Sequence, residues 1–390
     1  MAKEILIGTR KGTFKVSRAN GAWEPRLIGH AGVGVNYVAR DPESGALWAA
    51  LGHGHWGAKL SRSDDGGATW RDAAQVKFPE GARYLAPGFP DEAGESTDEP
   101  QRHAIKTATV LKLWVIAFGA PGRIYVGTIP GGLFVSDDGG ESFSLNLPLW
   151  NHESRGGDLF TGNGSGTTHW YGTPASEGGE FAPGIHSITV DPTAPDRILV
   201  AVSTAGVLES TDGGRSWHGR NRGMTMDYLP NPSAEWGHDP HAIERCPAQP
   251  SHIWQQNHCG VFYSSDGAGT WRKVNAPQLG VNFGFPVGVD DNDGKTAWLV
   301  PGKADSERMA IDGALFVART QDGGETWQQL RRGLPQKNAY DVIYRHALAS
   351  RGDTLAFGTT TGNLYVSDDR GDAWCTVANN LPPVYSVRFT

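Results

Sequence analysis

Four histidines stand at positions from which their side chains could share one site. His55 belongs to the segment LGHGHWG and His258 to the segment QQNHCG, which are corresponding turns three repeat units apart. His186 and His241 each stand five residues before the turn that ends a predicted strand. Because imidazole nitrogen binds zinc, copper, iron and nickel well, these four histidines form a predicted divalent-metal site. The alternative is a polar pocket in which the histidines make structural hydrogen bonds.

A carboxylate accompanies these histidines in the segment GHDPH (237–241). Asp239 is predicted to act with His186, His241 and His258 as the catalytic set, either as metal ligands or as general acid and base groups. A turn residue that precedes a proline is the structural alternative for Asp239. The residues predicted to bind substrate are Gln256, Asn257, Arg345, Trp56 and Trp236.

Glycoside cleavage requires two carboxyl groups on either side of the scissile bond. Seven acids lie in the long loops, and sequence distinguishes no pair among them: Glu153, Asp158, Glu180, Asp227, Asp239, Asp305 and Glu307. A thiol nucleophile at Cys259 is disfavoured, since neighbours in a strand such as His258 and Cys259 point to opposite sides.

Composition excludes several classes of partner. The formal net charge is −7 and the basic residues form no cluster, so nucleic acid is not an expected partner. No apolar stretch is long enough to span a membrane, and the first residues read as a strand rather than a secretory signal. Three scattered cysteines make neither a disulfide framework nor a paired-cysteine zinc motif. These features predict a cytoplasmic protein with a small-molecule or carbohydrate ligand.

A repeated turn organises the chain that carries these residues. It reads Ser or Thr, any residue, Asp, a glycine-containing turn and a closing aromatic, and a degenerate first copy lacks the Asp. Two neighbouring pairs of closing aromatics, Trp23 with Trp70 and Trp327 with Trp374, are 47 residues apart. A unit of this length is typical of a four-stranded propeller blade. The seven closing aromatics are Trp23, Trp70, Phe143, Trp217, Trp271, Trp327 and Trp374.

Seven copies predict an all-β fold, a seven-bladed β-propeller in one domain. The chain opens without an innermost strand and ends with the orphan strand VYSVRFT, so the last strand is predicted to complete the first blade and close the ring. The predicted blades are residues 1–30 plus 384–390, 31–77, 105–150, 184–222, 240–276, 284–332 and 340–380.

The long insertions fall on one face of this ring, called the upper face here. They occupy the links from one blade to the next and the links between the second and third strands of a blade, and long loops on a rigid scaffold commonly carry function. The same face receives the mouth of the central channel, where Asn36, Trp114, Phe285, Arg345 and Tyr385 are predicted equivalents of His186 and His241. The predicted upper-face loops are 78–104, 150–184, 222–240 and 301–313.

The repeated turn matches the Asp-box, or BNR, motif of sialidases, sortilin-type receptors, xyloglucan-active glycosidases and a photosystem assembly factor. With the stretches LWNHESR, QQNHCGV, FGFP and RGLPQ, the chain resembles a bacterial sialidase-like family of BNR-repeat glycosyl hydrolases. A sialidase would carry an Arg-Ile/Leu-Pro signature, and Arg123-Ile124-Tyr125 departs from it. The resemblance specifies fold far better than function. It favours a small-molecule or glycoside hydrolase or lyase, with a non-catalytic carbohydrate- or protein-binding propeller as the alternative.

Overall fold

The computed structural model describes residues 4–86, 104–158, 164, 168–170, 173–174 and 181–390. Seven four-stranded antiparallel sheets follow one another in this part of the chain, which confirms the predicted seven-bladed β-propeller. Strands are given from innermost to outermost. Blades one to four comprise Val384–Phe389, Glu4–Thr9, Gly12–Ala19 and Ala22–Gly29; Gly34–Arg40, Leu47–His53, Gly57–Ser63 and Arg71–Asp72; Lys112–Phe118, Ile124–Ile129, Leu133–Ser136 and Ser144–Leu145; and Ile185–Asp191, Ala194–Val202, Gly206–Ser210 and His218–Gly219. Blades five to seven comprise Pro240–Arg245, Ile253–Asn257, Gly260–Ser264 and Arg272–Lys273; Phe283–Val289, Ala297–Gly302, Val317–Thr320 and Gln328–Leu330; and Leu348–Arg351, Thr354–Gly358, Leu364–Ser367 and Cys375–Ala378.

The links between these strands hold small additional elements. Two short hairpins pair Arg83–Ala86 with Ala104–Thr107 and Thr173–Pro174 with Phe181–Ala182. One α-helical turn spans Leu147–Trp150, and Asn146 caps it by accepting the backbone N–H of Leu149. Three 3₁₀ turns are Glu153–Arg155, Pro277–Leu279 and Ile311–Gly313. No helix of the described residues is long and apolar enough to cross a membrane.

The ring closes through its two ends. Val384–Phe389 pairs antiparallel with Glu4–Thr9, and Ile7 lies opposite Val387. Both side chains are fully buried, so the apolar residues of the last strand complete the packing of the first blade. Pairing the chain ends in this way gives the first blade its fourth strand and closes the ring.

Large aromatic residues fill the space between neighbouring blades. Trp48, Trp254 and Trp298 lie in the second strands of blades two, five and six and are almost completely buried. The Trp298 indole N–H donates to the backbone carbonyl of Arg370 in blade seven at 2.9 Å. The Trp254 indole N–H likewise donates to the Gly294 carbonyl of blade six at 2.9 Å, so these two tryptophans contribute both apolar area and a directional contact between blades, whereas the indole nitrogen of Trp48 has no partner among the described residues.

The repeated turns connect the third and fourth strands on the face opposite the long loops. In blade two, Asp65 Oδ1 accepts the Ser63 hydroxyl at 2.8 Å and the Thr69 backbone N–H at 2.9 Å, and Ser63 accepts the Gly67 N–H. Asp65 Oδ2 also accepts the Thr69 hydroxyl at 2.6 Å. That hydrogen bond, followed by those to the Thr69 N–H and the Ser63 hydroxyl, lowers the pKa of Asp65 to about 2. The same pattern recurs at Asp138, Asp212, Asp266, Asp322 and Asp369. Each aspartate is therefore satisfied within its own turn.

Candidate functional site

The innermost strands carry a β-bulge near the channel mouth, and the extra residue of each bulge lies at one level of the ring. In blade four, Ile185 pairs with Val202 and Ser187 with Ala201, so His186 is the extra residue. Blade five repeats this arrangement at His241. Bulges re-aim side chains and are frequent next to active sites. Corresponding irregularities occur at Asn36, Trp114, Phe285 and Tyr385.

The seventh member of this ring arises differently. Arg345 precedes the innermost strand of blade seven, Leu348–Arg351, and lies in irregular backbone. Its guanidinium carbon is 5.2 Å from the ring centroids of both Trp114 and Phe285. Because those rings belong to blades three and six, the Arg345 side chain extends across the channel mouth. The predicted equivalence of these ring residues therefore corresponds to a real layer of side chains.

Asp239, His241 and His258 converge on the upper face at this mouth. Asp239 Oδ2 lies 3.3 Å from His241 Nε2 and 3.6 Å from His258 Nδ1. One ligand atom from each of the three residues lies within 4.8 Å of the other two. We call these residues the Asp–His cluster.

Two blades hold the Asp239 carboxylate in place. Its Oδ1 atom accepts the Thr204 backbone N–H of blade four at 3.1 Å, and its own carbonyl accepts the His258 N–H at 2.9 Å. Burial alone would raise the pKa of Asp239, but His241 and then Arg345 and His258 outweigh it and hold that pKa well below the usual range. The buried Asp239 is therefore an anion at neutral pH.

Both ring nitrogens of His241 face acceptor oxygens. His241 Nδ1 donates to the Gly284 carbonyl at 2.6 Å, which assigns a ring proton to Nδ1. Burial lowers the pKa of His241, whereas Asp239 raises it. Nε2 faces the Asp239 carboxylate at 3.3 Å, and either a second proton or a metal ion on Nε2 satisfies that contact.

Aromatic rings surround the cluster. His241 stacks on Phe285 with centroids 4.6 Å apart, and His258 meets Tyr228 and Phe283 edge-on at 5.3 and 5.9 Å. The Tyr228 hydroxyl donates to the Gly237 carbonyl at 2.7 Å. These contacts fix the imidazole planes and leave part of the His258 side chain, about 27%, open to solvent.

His186 lies beside this cluster and is not part of it. It is fully buried against Trp114, its Nδ1 lies 3.1 Å from the Ser187 hydroxyl, and its Nε2 has no hydrogen-bond partner. Burial, followed by the charges of Arg345 and His346, lowers the pKa of His186 well below its usual value. His186 therefore remains neutral at the channel mouth.

The predicted residues of the turn LGHGHWG also lie outside the cluster. His55 and Trp56 are exposed, and Trp56 retains 68% of its accessible surface. The ring of Trp56 stacks on His53 at 3.9 Å, and the His55 backbone N–H bonds to His53 Nδ1. This turn forms its own small surface feature.

Most of the other predicted substrate contacts are occupied within the protein. Gln256 is buried, and its amide nitrogen contacts the carbonyls of Asn257, Gly260 and Asn282 at 3.2–3.3 Å. The Asn257 amide donates to Gln255 at 2.6 Å, while its oxygen accepts the backbone N–H of the second residue beyond it. Both side chains therefore shape the turn that presents His258.

The remaining loop residues are distributed rather than assembled into one further site. Trp236 lies edge-on to His152, with their ring centroids 5.6 Å apart. The Cys259 thiol is 3.1 Å from Asp227 and points into an apolar cluster with Met226. Burial and then the hydrogen bond to Asp227 raise the pKa of Cys259 to about 12, as expected for an unreactive thiol.

The loop acids and arginines do not form the constellation of a sialidase in the described residues. Asp305 and Glu307 pair with Arg308 and Lys303 at 2.5 and 2.6 Å. The Arg155 guanidinium is buried between the rings of Trp150 and Trp170, whereas the Arg345 guanidinium lies against Trp114 and Phe285. Glu180 and Tyr171 lie outside the described residues, and for Phe181 only the backbone is described.

Several contributors to the site carry no signal in the sequence. Tyr228, the Thr204 N–H and the Gly284 carbonyl act through loop geometry or backbone atoms. His238, which adjoins Asp239 in sequence, turns away so that its Nε2 contacts the Ala234 carbonyl at 2.8 Å. The motif GHDPH therefore contributes Asp239 and His241, and the third member of the cluster comes from another turn.

An open groove of about 530 Å³ lies on a different part of the surface, between blades four and five. Gly219–Thr225, Ser233–Glu235 and Gly269 line it. Its lining includes no member of the Asp–His cluster. The convergence of titratable groups marks the functional site here better than the size of the groove.

The fold and this mouth define the chain as a seven-bladed β-propeller with a buried Asp–His cluster on its upper face. No protein-family model matches the chain. It is 25% identical over 226 residues to the oligoxyloglucan-reducing end-specific xyloglucanase of Emericella nidulans. That match covers 50% of this chain and 26% of the fungal enzyme.

Two solved structures have the same architecture. The GH74 enzyme of Niastella koreensis superposes with a TM-score of 0.57 at 17% identity, over 95% of this chain and 51% of that enzyme. The periplasmic gluconolactonase of Pseudomonas aeruginosa gives a TM-score of 0.58 at 10% identity, over 100% of this chain and 99% of the other. The chain thus spans about a quarter of the fungal enzyme and half of the Niastella enzyme. Identities this low show a shared propeller fold with carbohydrate-active enzymes and leave the reaction to the site.

Proposed function

We propose that the chain is a hydrolase for a small carbohydrate-derived ester or lactone, and that the Asp–His cluster holds a divalent metal ion. The observation that carries the proposal is the convergence of Asp239 Oδ2 with His241 Nε2 at 3.3 Å and with His258 Nδ1 at 3.6 Å. Because Nδ1 is committed to Gly284, the neutral form of His241 has no proton on Nε2 for that carboxylate. A metal ion between these atoms satisfies them.

The spacing of the donor atoms supports a metal ion of ordinary size. Metal–ligand distances of roughly 2.0–2.2 Å in tetrahedral geometry separate neighbouring ligand atoms by about 3.4 Å. Asp239 Oδ2 lies 3.3 and 3.6 Å from the two histidine nitrogens. The hydrogen bond from His241 Nδ1 to a backbone carbonyl is also the usual outer support of a metal-binding histidine.

Each residue of the cluster has a definite role in this proposal. Asp239 supplies the anionic ligand, His241 a ligand fixed by Gly284 and Phe285, and His258 a ligand at the open side. Three protein ligands leave a position for water or substrate, as catalytic sites require. A bound metal would polarise a substrate carbonyl and favour ionisation of a water molecule.

The chemistry of the donor set favours a carbonyl substrate over a glycosidic bond. Glycoside hydrolysis uses two carboxyl groups that flank the bond. Among the described residues, Asp239 is the one carboxylate in the cluster and its neighbours are imidazoles. Hydrolysis of an ester or lactone requires only a polarised carbonyl and an activated water molecule.

The alternative, a non-catalytic binding propeller, would use exposed aromatic rings. Trp150 and Trp170 of the long upper-face loop are instead buried, at 3% and 0% exposure. They enclose the Arg155 side chain at 3.6 and 4.7 Å. Their packing supports loop structure, so these two tryptophans do not form a binding surface, whereas Trp56, Tyr340 and Tyr344 are exposed.

The test is elemental analysis of untagged protein after supplementation with zinc, manganese, iron, nickel or copper and removal of free metal. We expect near-stoichiometric metal in the wild type and in His55→Ala, and its loss in Asp239→Asn and His241→Ala. His55→Ala is the matched control because it removes an exposed upper-face imidazole outside the cluster. Hydrolysis of glucono-δ-lactone and of xyloglucan oligosaccharides is then assayed on the same samples. A metal-free wild type, or an Asp239→Asn variant that retains metal, would overturn the proposal.

A further inference from the structure

Two cations at the channel mouth form no ion pair with a carboxylate of the described residues. Arg345 makes no hydrogen bond or ion pair with any described residue, and its Nε atom is buried without a partner. Lys112 lies with its ammonium nitrogen 5.0 Å from the centroid of the same Trp114 ring and likewise has no carboxylate within 4.0 Å in the described chain. Both side chains are half-buried, and charged groups that lose part of their hydration are normally paired. Asp239 acts on Arg345 without forming an ion pair with it, so both cations are available to an incoming anion.

Other arginines of the protein show what ordinary pairing looks like. Arg388 bonds the Tyr37 hydroxyl at 2.7 Å and lies 3.7 Å from Glu244. Arg370 pairs with Asp290 at 2.7 Å. Arg345 departs from this pattern although Arg388 belongs to an innermost strand of the same ring, which leaves the hydrogen-bond donors of Arg345 available to another molecule.

The surroundings of Arg345 and Lys112 also favour an incoming anion. Burial and the neighbouring Arg345 lower the pKa of Lys112 to about 8. Burial lowers the pKa of Arg345 to about 10, with Arg308 adding to the effect and Asp239 opposing it. The two cations therefore destabilise each other, and a shared anion would relieve that repulsion.

We propose that Arg345 and Lys112 bind an oxyanion, so that the substrate of this site carries a carboxylate or phosphate at the end remote from the bond that is cleaved. The planar guanidinium suits two parallel hydrogen bonds to such a group, while the aromatic rings of Trp114 and Phe285 hold its plane. The inference rests on the proposed function only for the identity of the reacting end.

The distance between the two halves of the site fits a small substrate. Phe285 is common to both, because its ring stacks on His241 with centroids 4.6 Å apart and lies 5.2 Å from the Arg345 guanidinium carbon. Arg345 lies beyond 4.0 Å from Asp239, since the two form no ion pair. One molecule can therefore contact Arg345 with its anionic end while its other end reaches the Asp–His cluster.

The experiment measures binding of three probes by calorimetry: D-glucuronate for the carboxylate, D-glucose 6-phosphate for the phosphate and D-glucose as the neutral reference. The full chain is dialysed against EDTA, so that direct metal chelation by the probe does not contribute. The anion that binds at least about 10-fold more tightly than glucose identifies the source of the charge, because a charge-assisted hydrogen bond contributes about 1.5–3 kcal/mol. Equal binding of glucose and both anions, or no binding of either anion, would overturn the inference.

Variants separate this site from the metal site. Arg345→Gln is expected to weaken anion binding by roughly 10-fold to 150-fold. Lys112→Met is expected to weaken it by less, because an ammonium group does not make the two parallel hydrogen bonds of a guanidinium. Arg10→Gln changes an exposed arginine between the second and third strands of blade one; it is the control and should bind as the wild type does. Unchanged binding in Arg345→Gln would refute the role of Arg345.

Asp239→Asn distinguishes failure of this inference from failure of the proposed function. It removes the metal ligand and also the negative charge that acts on Arg345, so metal is expected to be lost while the anion binds more tightly. If the anion binds and no sample contains metal, the oxyanion site stands and the proposed metal site is refuted. If metal binds and the anions bind no better than glucose, the metal site stands and the oxyanion site is refuted.

Discussion

Aspartates occupy both the repeated turns and the channel mouth, and their surroundings differ. Asp212 in blade four accepts the Ser210 hydroxyl at 2.8 Å and the Ser216 N–H at 2.9 Å, all within one turn. Asp239 is held by the Thr204 N–H of a neighbouring blade and faces two imidazoles. Hydrogen bonds lower the pKa of Asp212, whereas His241 is the main opposing influence to burial at Asp239.

The two kinds of aspartate show how structural and functional positions differ in a repeat protein. A residue that returns with the same partners in every blade is explained by the blade itself. The mouth layer instead holds a different residue type in almost every blade, among them Trp114, His186, Phe285 and Arg345. A position that keeps its geometry but changes its residue type from blade to blade is a position at which a repeat protein can build a functional site.

The largest effect expected from this contrast is on stability. Trp217 closes the repeated turn of blade four, is 4% exposed, and donates its indole N–H to Asn146 of blade three at 3.0 Å. Trp217→Ala should lower the free energy of unfolding by about 3–5 kcal/mol and leave metal stoichiometry unchanged. Urea denaturation and elemental analysis test both expectations.

Trp56→Ala is the matched control for that prediction. Trp56 is 68% exposed on the functional face, so its removal should change stability by no more than about 0.5 kcal/mol. Loss of metal in Trp217→Ala at a temperature where it remains folded would show that the repeated turns and the channel mouth are coupled.

A smaller effect is expected from pH. Burial lowers the pKa values of His186, His241 and His346 in the folded state, whereas the unfolded chain titrates near 6.5. The unfolded state therefore binds more protons below about pH 6.5, and stability falls as pH falls, by up to about 1.4 kcal/mol per pH unit for each histidine that stays neutral. Turn aspartates such as Asp65 contribute only nearer pH 4.

Urea denaturation at pH 7, 6 and 5 in EDTA measures this slope. His55→Ala should follow the wild-type curve, because His55 is exposed and lies outside the buried mouth. A wild-type stability that is flat between pH 7 and 5 would mean that the three histidines are not held neutral, which would remove the basis for a neutral His241.

Much of the fold could be predicted from the sequence because the same motif recurs in every blade. The closing aromatic residues, the repeated turns and the orphan last strand specify the blades, their number and the closure at Val384–Phe389. The layer at the mouth could also be predicted in outline, because His186 and His241 keep the same distance from the turns that follow them. Repetition makes such positions comparable without an experimental structure.

The composition of the site was less predictable. Adjacency in GHDPH suggested Asp239 with two histidines, yet His238 turns toward the Ala234 carbonyl and His258 takes its place from a turn of the same blade. Sequence likewise could not distinguish the exposed His55 from the buried His241. Those outcomes depend on bulges and on single backbone hydrogen bonds, such as the one to Gly284, which leave no residue-type signal.

The smallest expected effect concerns Cys259, whose sequence neighbour His258 belongs to the cluster. Its thiol points away, 3.1 Å from Asp227, and burial with that hydrogen bond raises its pKa to about 12. Because the thiolate is the nucleophile, iodoacetamide at pH 8 should label the exposed Cys375 first and Cys259 only on unfolding, as peptide mass spectrometry would show.

Cys259→Ala should retain metal binding and lactone hydrolysis. Rapid labelling of Cys259 in the folded protein, or loss of hydrolysis in this variant while metal is retained, would assign the chemistry to the thiol and contradict the division between a structural Cys259 and a functional His258.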